Sequence, residues 1–309
     1  MDLTTRYLGL TLAHPFMPGA SPLADDLDTV RRLEDAGAAA IVLRSLFAEQ
    51  IDARDRAADH YIEHVRRVAA LVRVPVIASL NGTTADTWLK YARLIEMAGA
   101  DALELNFYHV ATDADEDGRT VEGRVLDIVA VLKESIHIPL AVKLTPFYSS
   151  VPHLARQLTN LGADGLVLFA RSAQPEIDPE HMDETGYPEL STSAELPVRL
   201  RAIAALAGRV PASLAVTGGV HEPLDAIKAT MAGADAVQVV SALYRYGPAH
   251  LDHLRRGFIR WCGEHECTDI ADLRGCMSLA RLADPSTFER AGYVRTLQTW
   301  RPSSSAARR

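Results

Sequence analysis

Four stretches of the chain repeat one pattern: an amphipathic run, a glycine, then a short apolar block. They read AGAAAIVL at 36–43, AGADALEL at 98–105, LGADGLVL at 161–168 and AGADAVQV at 232–239, with starts 62, 63 and 71 residues apart. Gly37, Gly99, Gly162 and Gly233 stand where a helix ends in the left-handed conformation, which a Cβ disfavours. The apolar block after each has the length of a strand. A second series lies between them. HPFMPGA, VPVIASL, IPLAVKL and VPASLAVTGG carry Pro15, Pro75, Pro139 and Pro211 at intervals of 60, 64 and 72 residues. Proline is tolerated at the first residue of a strand, where no ladder donor is required. Interleaving the two series predicts eight strands, near 16–20, 39–43, 76–81, 102–106, 140–144, 165–169, 213–217 and 236–240. Segments such as LDTVRRLEDAG and TWLKYARLIEMAG separate them, with apolar residues three and four apart, the helical period.

Strand–helix alternation implies parallel strands joined by right-handed crossovers. Eight such units predict an α/β fold, a (β/α)8 TIM barrel. A doubly wound open sheet would also alternate, but it does not explain strands arriving in four similar pairs. The 309 residues then divide into one barrel over 1–284 and a C-terminal helical extension over 285–309. LTTRYLGLTLAHP forms an N-terminal hairpin at the barrel bottom, and the last nine residues, RPSSSAARR, are expected to fray.

Composition narrows the function classes. The chain is 48% hydrophobic and 23% charged, with a net charge of −8. An acidic chain lacks the basic footprint that nucleic acid requires. No run reaches the ~18 apolar residues of a membrane span, and the N-terminus has no signal-peptide pattern. A cytoplasmic protein is expected. Cys262, Cys267 and Cys276 fit neither a disulfide framework nor a metal knuckle, and read as reduced thiols.

In this architecture chemistry sits at the C-terminal ends of the strands. Those ends fall at Pro18-Gly19-Ala20-Ser21, Arg44-Ser45, Asn81-Gly82, Asn106, Lys143, Ala170-Arg171, Gly218-Gly219 and Ser241-Ala242. Alternation turns Leu140, Val142 and Leu144 towards the helices and Lys143 inward. It likewise turns Glu104 and Asn106 inward. A lysine inside a barrel needs an anion: either Glu104 pairs with it, or it is held against a bound anionic ligand. Thr217-Gly218-Gly219-Val220 either forms a tight turn or lets backbone N–H groups approach a ligand. Loops after the last two strands of such barrels bind phosphate. With Ser241 and Ala242 as further donors, Ala20 and Ser21 as small lining residues, and Lys143, the pattern suggests a flat ligand with a phosphate tail.

LNGTTADTWLKYARLIEMAGADALELN, IPLAVKLTP, LGADGLVLF and AVTGGVHEPLDAIKATMAGADAVQVVSALY together resemble the dihydroorotate dehydrogenase family, FMN-dependent barrels of pyrimidine biosynthesis, in its soluble class. The resemblance covers residues 3–280 and implies FMN at the barrel mouth. Gly218, Gly219, Ser241 and Ala242 would hold its phosphate. Ala20 and Ser21 would contact the ring, Arg44 and Ser45 would stand at the family's Lys-Ser, and Asn106 would lie near flavin and substrate. Lys143 would lie against the ring edge that becomes anionic on reduction. His109 falls where the family carries its catalytic Cys or Ser, and an imidazole suits proton abstraction. Ala111 replaces a substrate asparagine and Ala170-Arg171 an Asn-Thr pair. The substrate-binding asparagine segment is not recognisable in FAEQIDARDRAADHY. The flavin half is thus largely kept and the orotate half largely changed.

Three functions are compatible with these residues. The first is an FMN oxidoreductase acting on dihydroorotate or a related small dihydro compound. The second is a flavin-free sugar-phosphate barrel with Lys143 as an aldolase-type or electrostatic lysine. The third is a non-catalytic flavin subunit whose Tyr108, His109 and DADEDG loop meet an electron-transfer partner. The resemblance is also compatible with a homodimer.

Overall fold

A computed structural model describes residues 1–49, 57–81, 85–171, 176–185, 189–288 and 290–299. Gly82, much of the FAEQIDARDRAADHY segment and the 301–309 tail lie outside the described residues. Eight parallel strands form the barrel: β1 (Phe16–Pro18), β2 (Ile41–Phe47), β3 (Val76–Asn81), β4 (Ala102–Asn106), β5 (Leu140–Leu144), β6 (Gly165–Leu168), β7 (Ser213–Thr217) and β8 (Ala236–Val239). Each pairs with its sequence neighbour from β2 to β8, and β8 pairs with β1. The seam between β1 and β2 is bridged by the Ala39 N–H donating to the Phe16 carbonyl at 2.9 Å. Helices α1 (Leu27–Asp35), α2 (Ala57–Leu71), α3 (Ala85–Met97), α4 (Gly118–Lys133), α5 (Val151–Asn160), α6 (Leu196–Leu206) and α7 (Pro223–Ala232) occupy the crossovers. A short α8 (Ser241–Tyr246) and a long α9 (His250–Glu264) follow β8. A helix over Arg290–Thr299 forms the C-terminal extension. No helix among the described residues is long and apolar enough to cross a membrane.

The repeated motif has a physical purpose at the bottom of the barrel. All four glycines adopt positive φ, at 86°, 97°, 95° and 123°. In three repeats the aspartate two residues later folds back: Asp101 Oδ2 accepts from Val76 N–H, Asp164 Oδ2 from Leu140 N–H and Asp235 Oδ2 from Leu214 N–H, each at 2.8 Å. The backbone N–H groups of the same aspartates donate to the carbonyls of Val76, Leu140 and Leu214. Each aspartate therefore clamps the start of the preceding strand from both sides, satisfying donors that a strand's first residue would leave open. The first repeat has Ala39 at this position, and there the seam bond does the work. Strands begin one residue after Pro15, Pro75 and Pro139, and two after Pro211, rather than on them. The carbonyls of Pro15, Pro75 and Pro139 accept from Val237, Ile41 and Leu103. A proline needs no donor of its own to supply that acceptor.

Two apolar clusters result. The larger lies between the strands and the helices and contains Leu103, Leu140, Val142, Trp88 and Phe258. The smaller fills the lower barrel with Met17, Val42, Ile77, Ala102, Ala141, Val167, Ala215 and Ala236. Four of these are alanines, and the room they leave is taken by the N-terminal hairpin. Thr5–Tyr7 and Leu10–Leu12 pair antiparallel about Leu8 and Gly9, which both have positive φ. Tyr7, Leu8 and Leu12 join the interior cluster. The hairpin is tethered by Leu8 N–H donating to Ser213 Oγ at 3.1 Å and by the Thr5 hydroxyl donating to the Asp235 carbonyl at 2.9 Å.

Gly165 is the position that admits this plug, because a Cβ there would lie 2.3 Å from Leu8 Cδ2. Gly165→Ala is expected to lower stability in urea denaturation by about 1–3 kcal/mol, the cost of overpacking a filled core. Leu8→Ala in the same chain should make that second substitution nearly silent. Simple additivity of the two changes would show that the hairpin does not fill the barrel.

Candidate functional site

Above the apolar layer the barrel interior turns polar. Alternation places Ser79 and Asn81 of β3, Glu104 and Asn106 of β4, Lys143 of β5 and Gln238 of β8 on the inward face. Glu104 is completely buried and Lys143 is 7% exposed. Lys143 Nζ donates to Glu104 Oε1 at 3.0 Å, and Gln238 Nε2 donates to Glu104 Oε2 at 2.6 Å. The expected pair is therefore present, and Gln238 holds the second carboxylate oxygen. The phenol of Tyr7 stands below, and burial together with the nearby Glu104 and Asp235 charges raises its pKa well above the ordinary value. Lys143 and Asn106 are register partners across β4 and β5, so cation and amide open onto the same level of the mouth.

Several polar atoms at this level are enclosed yet unmatched. Asn81 Nδ2, Asn106 Oδ1 and Gln238 Oε1 have no hydrogen-bond partner. Buried polar groups are nearly always paired, and each orphan costs about 1–3 kcal/mol. A donor amide, an acceptor amide and a buried ammonium around one opening suit a planar heterocycle with alternating carbonyl and N–H groups. These residues fit a flavin ring on that ground.

The first two strand ends differ in their local structure. Gly19 lets β1 approach β8, since a Cβ would meet Val240 Cγ2 at 2.9 Å. Ala20 and the buried Ser21 follow directly. Arg44 and Ser45, expected to end the second strand, lie within β2, which continues to Phe47. A register shift between Val42 and Ser45 separates their directions. Ser45 Oγ meets Ser79 Oγ at 2.7 Å inside the barrel, while Arg44 Nε donates to Asp25 Oδ1 at 3.0 Å near the surface. Tyr61 of α2 fixes Ser79, its hydroxyl accepting from the Ser79 N–H and donating to the Ser79 carbonyl.

At the opposite side Gly218 and Gly219 both have φ near 80°. Their missing side chains admit α6: a Cβ on Gly218 would lie 2.8 Å from Arg199 Nη2, and one on Gly219 2.8 Å from the Leu196 backbone nitrogen. The glycine pair is thus required by a left-handed turn and by close packing together. Gly219 N–H donates to Ser191 Oγ at 3.2 Å, and Ser191 N–H donates to Ser241 Oγ at 3.0 Å. Ala242 is buried beside Ser241 at the start of α8.

His109 is placed differently. Its Nε2 lies 3.4 Å from Glu116 Oε2 and 3.3 Å from Arg124 Nη1, and Glu116 also pairs with Arg124. These partners belong to α4 and the loop before it. His109 shares a small cavity there with Phe107 and Tyr148.

The dihydroorotate dehydrogenase family profile matches residues 3–261. The chain belongs to the dihydroorotate dehydrogenase family. Among its relatives are proteins named dihydroorotate dehydrogenase B (NAD(+)), catalytic subunit. The one from Thermoplasma volcanium is 28% identical, over 80% of this chain and 88% of its own length. That from Thermoplasma acidophilum is 28% identical over 89% and 98%, and that from Pelobacter propionicus 30% identical over 67% and 70%. This dihydroorotate dehydrogenase-like chain is accordingly an oxidoreductase of the class that acts on CH–CH groups. The strand ends named from the sequence omitted Gln238, Ser191 and His221. Gln238 was legible, since the alternation that turned Lys143 inward applies equally to AVQV. Ser191 lies in a loop with no periodic signal.

The Lys143–Glu104 pair should behave as one unit. Glu104→Gln, which leaves a buried ammonium without its carboxylate, is expected to cost roughly 3–5 kcal/mol in urea denaturation. Lys143→Met added to Glu104→Gln should recover part of that loss. Equal losses in single and double variants would mean that the pair is not coupled.

Proposed function

We propose that this family member binds FMN in the barrel mouth and oxidises a small dihydro compound, dihydroorotate being the first candidate. The observation that carries the reading is the buried Lys143–Glu104 pair, its ammonium level with the unmatched amide atoms of Asn81 and Asn106. Bound FMN would supply the hydride acceptor. The chain's own residues would do the rest. Lys143 presents a fixed positive charge to the ring edge, in a site too enclosed for water to screen it. Ala20, Ser21, Ser45 and Asn106 line the ring, with Arg44 behind them. Gly218, Gly219, Ser241 and Ala242 take the phosphate end. His109, in the loop after β4, takes the proton from the substrate carbon, and Glu116 and Arg124 orient its ring.

Glu104 also argues against an aldolase-type lysine. A nucleophilic amine must present a free lone pair to its substrate, whereas Lys143 Nζ is engaged in donating to Glu104 Oε1 at 3.0 Å. A flavin-free sugar-phosphate enzyme is therefore the weaker reading. The relatives' name, an NAD(+)-linked catalytic subunit, supports a partner subunit that carries electrons onward from this chain, either from a monomer or from a homodimer. The three unpaired thiols fit a cytoplasmic setting.

The purified chain should be yellow, with flavin absorbance bands that dihydroorotate bleaches without oxygen. Flavin bands with no bleaching would reject dihydroorotate and leave the flavin reading in place. A colourless chain that takes up no FMN would reject both. In single-turnover reduction His109→Asn is expected to slow bleaching by roughly a hundredfold or more, with the flavin spectrum unchanged. An undiminished rate would remove His109 from the reaction.

A further inference from the structure

Past the two glycines that follow β7 the chain runs through Val220 to His221, a residue 6% exposed. Its backbone is tightly fixed. The His221 N–H donates to Asp225 Oδ2 at 3.0 Å, and the same oxygen accepts from Glu222 N–H at 3.0 Å and Ser193 Oγ at 2.6 Å. The His221 carbonyl accepts from His250 Nε2 at 2.7 Å. The ring is fixed at only one end. Nε2 lies 3.4 Å from Ser191 Oγ, while Nδ1 is fully enclosed and has no hydrogen-bond partner.

Ser191 links this ring to the cradle. It is 2% exposed, and it joins the Gly219 N–H to Ser241 Oγ. The two groups assigned above to a phosphate are thus bridged by one serine, with an unsatisfied imidazole nitrogen beside it. The charged groups facing His221 are Arg245 of α8, Asp225 of α7 and His250 of α9, with the Ser191 hydroxyl from the segment before α6. Burial first, then Arg245, hold the imidazole below its ordinary pKa, and Asp225 opposes them. The ring is therefore neutral at pH 7.5. A dianion would reverse that balance, because a nearby negative charge favours the protonated imidazole.

We propose that His221, with Ser191, completes the phosphate end of the site and takes up a proton as it receives a phosphomonoester dianion. This rests on the FMN reading. It adds a positioning residue that makes flavin retention depend on pH: binding strengthens as pH falls towards the free imidazole's range and weakens as pH rises past that of the bound form. Asp225 serves it by anchoring the loop.

The test compares FMN with riboflavin, which lacks the phosphate, on the full flavin-depleted chain by fluorescence titration and by calorimetry in two buffers of different ionisation enthalpy. At pH 7.5 a phosphate with a second pKa of about 6 is already a dianion, so any proton taken up comes to the protein. Proton uptake is expected with FMN and not with riboflavin. His221→Gln should abolish that uptake and weaken FMN by about tenfold or more, with riboflavin affinity within twofold, which also reports an intact fold. Unchanged FMN affinity and proton uptake in His221→Gln would overturn the assignment alone. So would equal losses for both flavins, which would mark His221 as purely structural. A wild-type chain that binds neither flavin would overturn the FMN reading, and this assignment with it.

Discussion

A carboxylate and an ammonium buried in one barrel interior constrain almost everything above and below them. Neither Glu104 nor Lys143 could be desolvated alone, since an isolated buried ion is costly. Together with Gln238 they form a cluster that uses three strands at once, β4, β5 and β8. That cluster requires the barrel to close with the observed register, because a one-residue slip in any of the three strands would turn its member out to the helices. It also divides the interior. Below it small apolar side chains and the hairpin exclude water, and at its upper edge Lys143 stands level with the unmatched amide atoms of Asn81 and Asn106.

The lower half serves that arrangement. Three aspartates clamp the starts of three strands, and the hairpin fills the space that the alanines leave open. The bottom is thereby held by aspartate bonds at the strand starts and by a hairpin tethered to Ser213 and Asp235. The mouth is instead assembled from loops outside the repeated motif, such as that of Ser191, which meets Ser241 and Gly219.

That difference sets how much was legible in the sequence. The strands, the inward turn of Lys143, Glu104 and Asn106, and the helix-ending glycines all follow from local periodicity, and the structure places them accordingly. The course of β2 does not. A register shift between Val42 and Ser45 depends on β3 and leaves no trace in a single strand's pattern, so Arg44 and Ser45 were placed past the strand end. The same holds for His109, whose engagement with Glu116 and Arg124 depends on how the loop after β4 folds onto α4. The roles of Ser191 and His221 need the closed barrel, which brings the segment before α6 against the ends of β7 and β8.

On the proposed FMN reading, the buried cation at the mouth balances the negative charge a bound ring gains on reduction. The midpoint potential of the bound flavin, measured in the natural chain and in Lys143→Gln, tests this most directly. A clearly more negative potential is expected in the variant, because reduction then adds charge that nothing nearby offsets. An unchanged potential would contradict it.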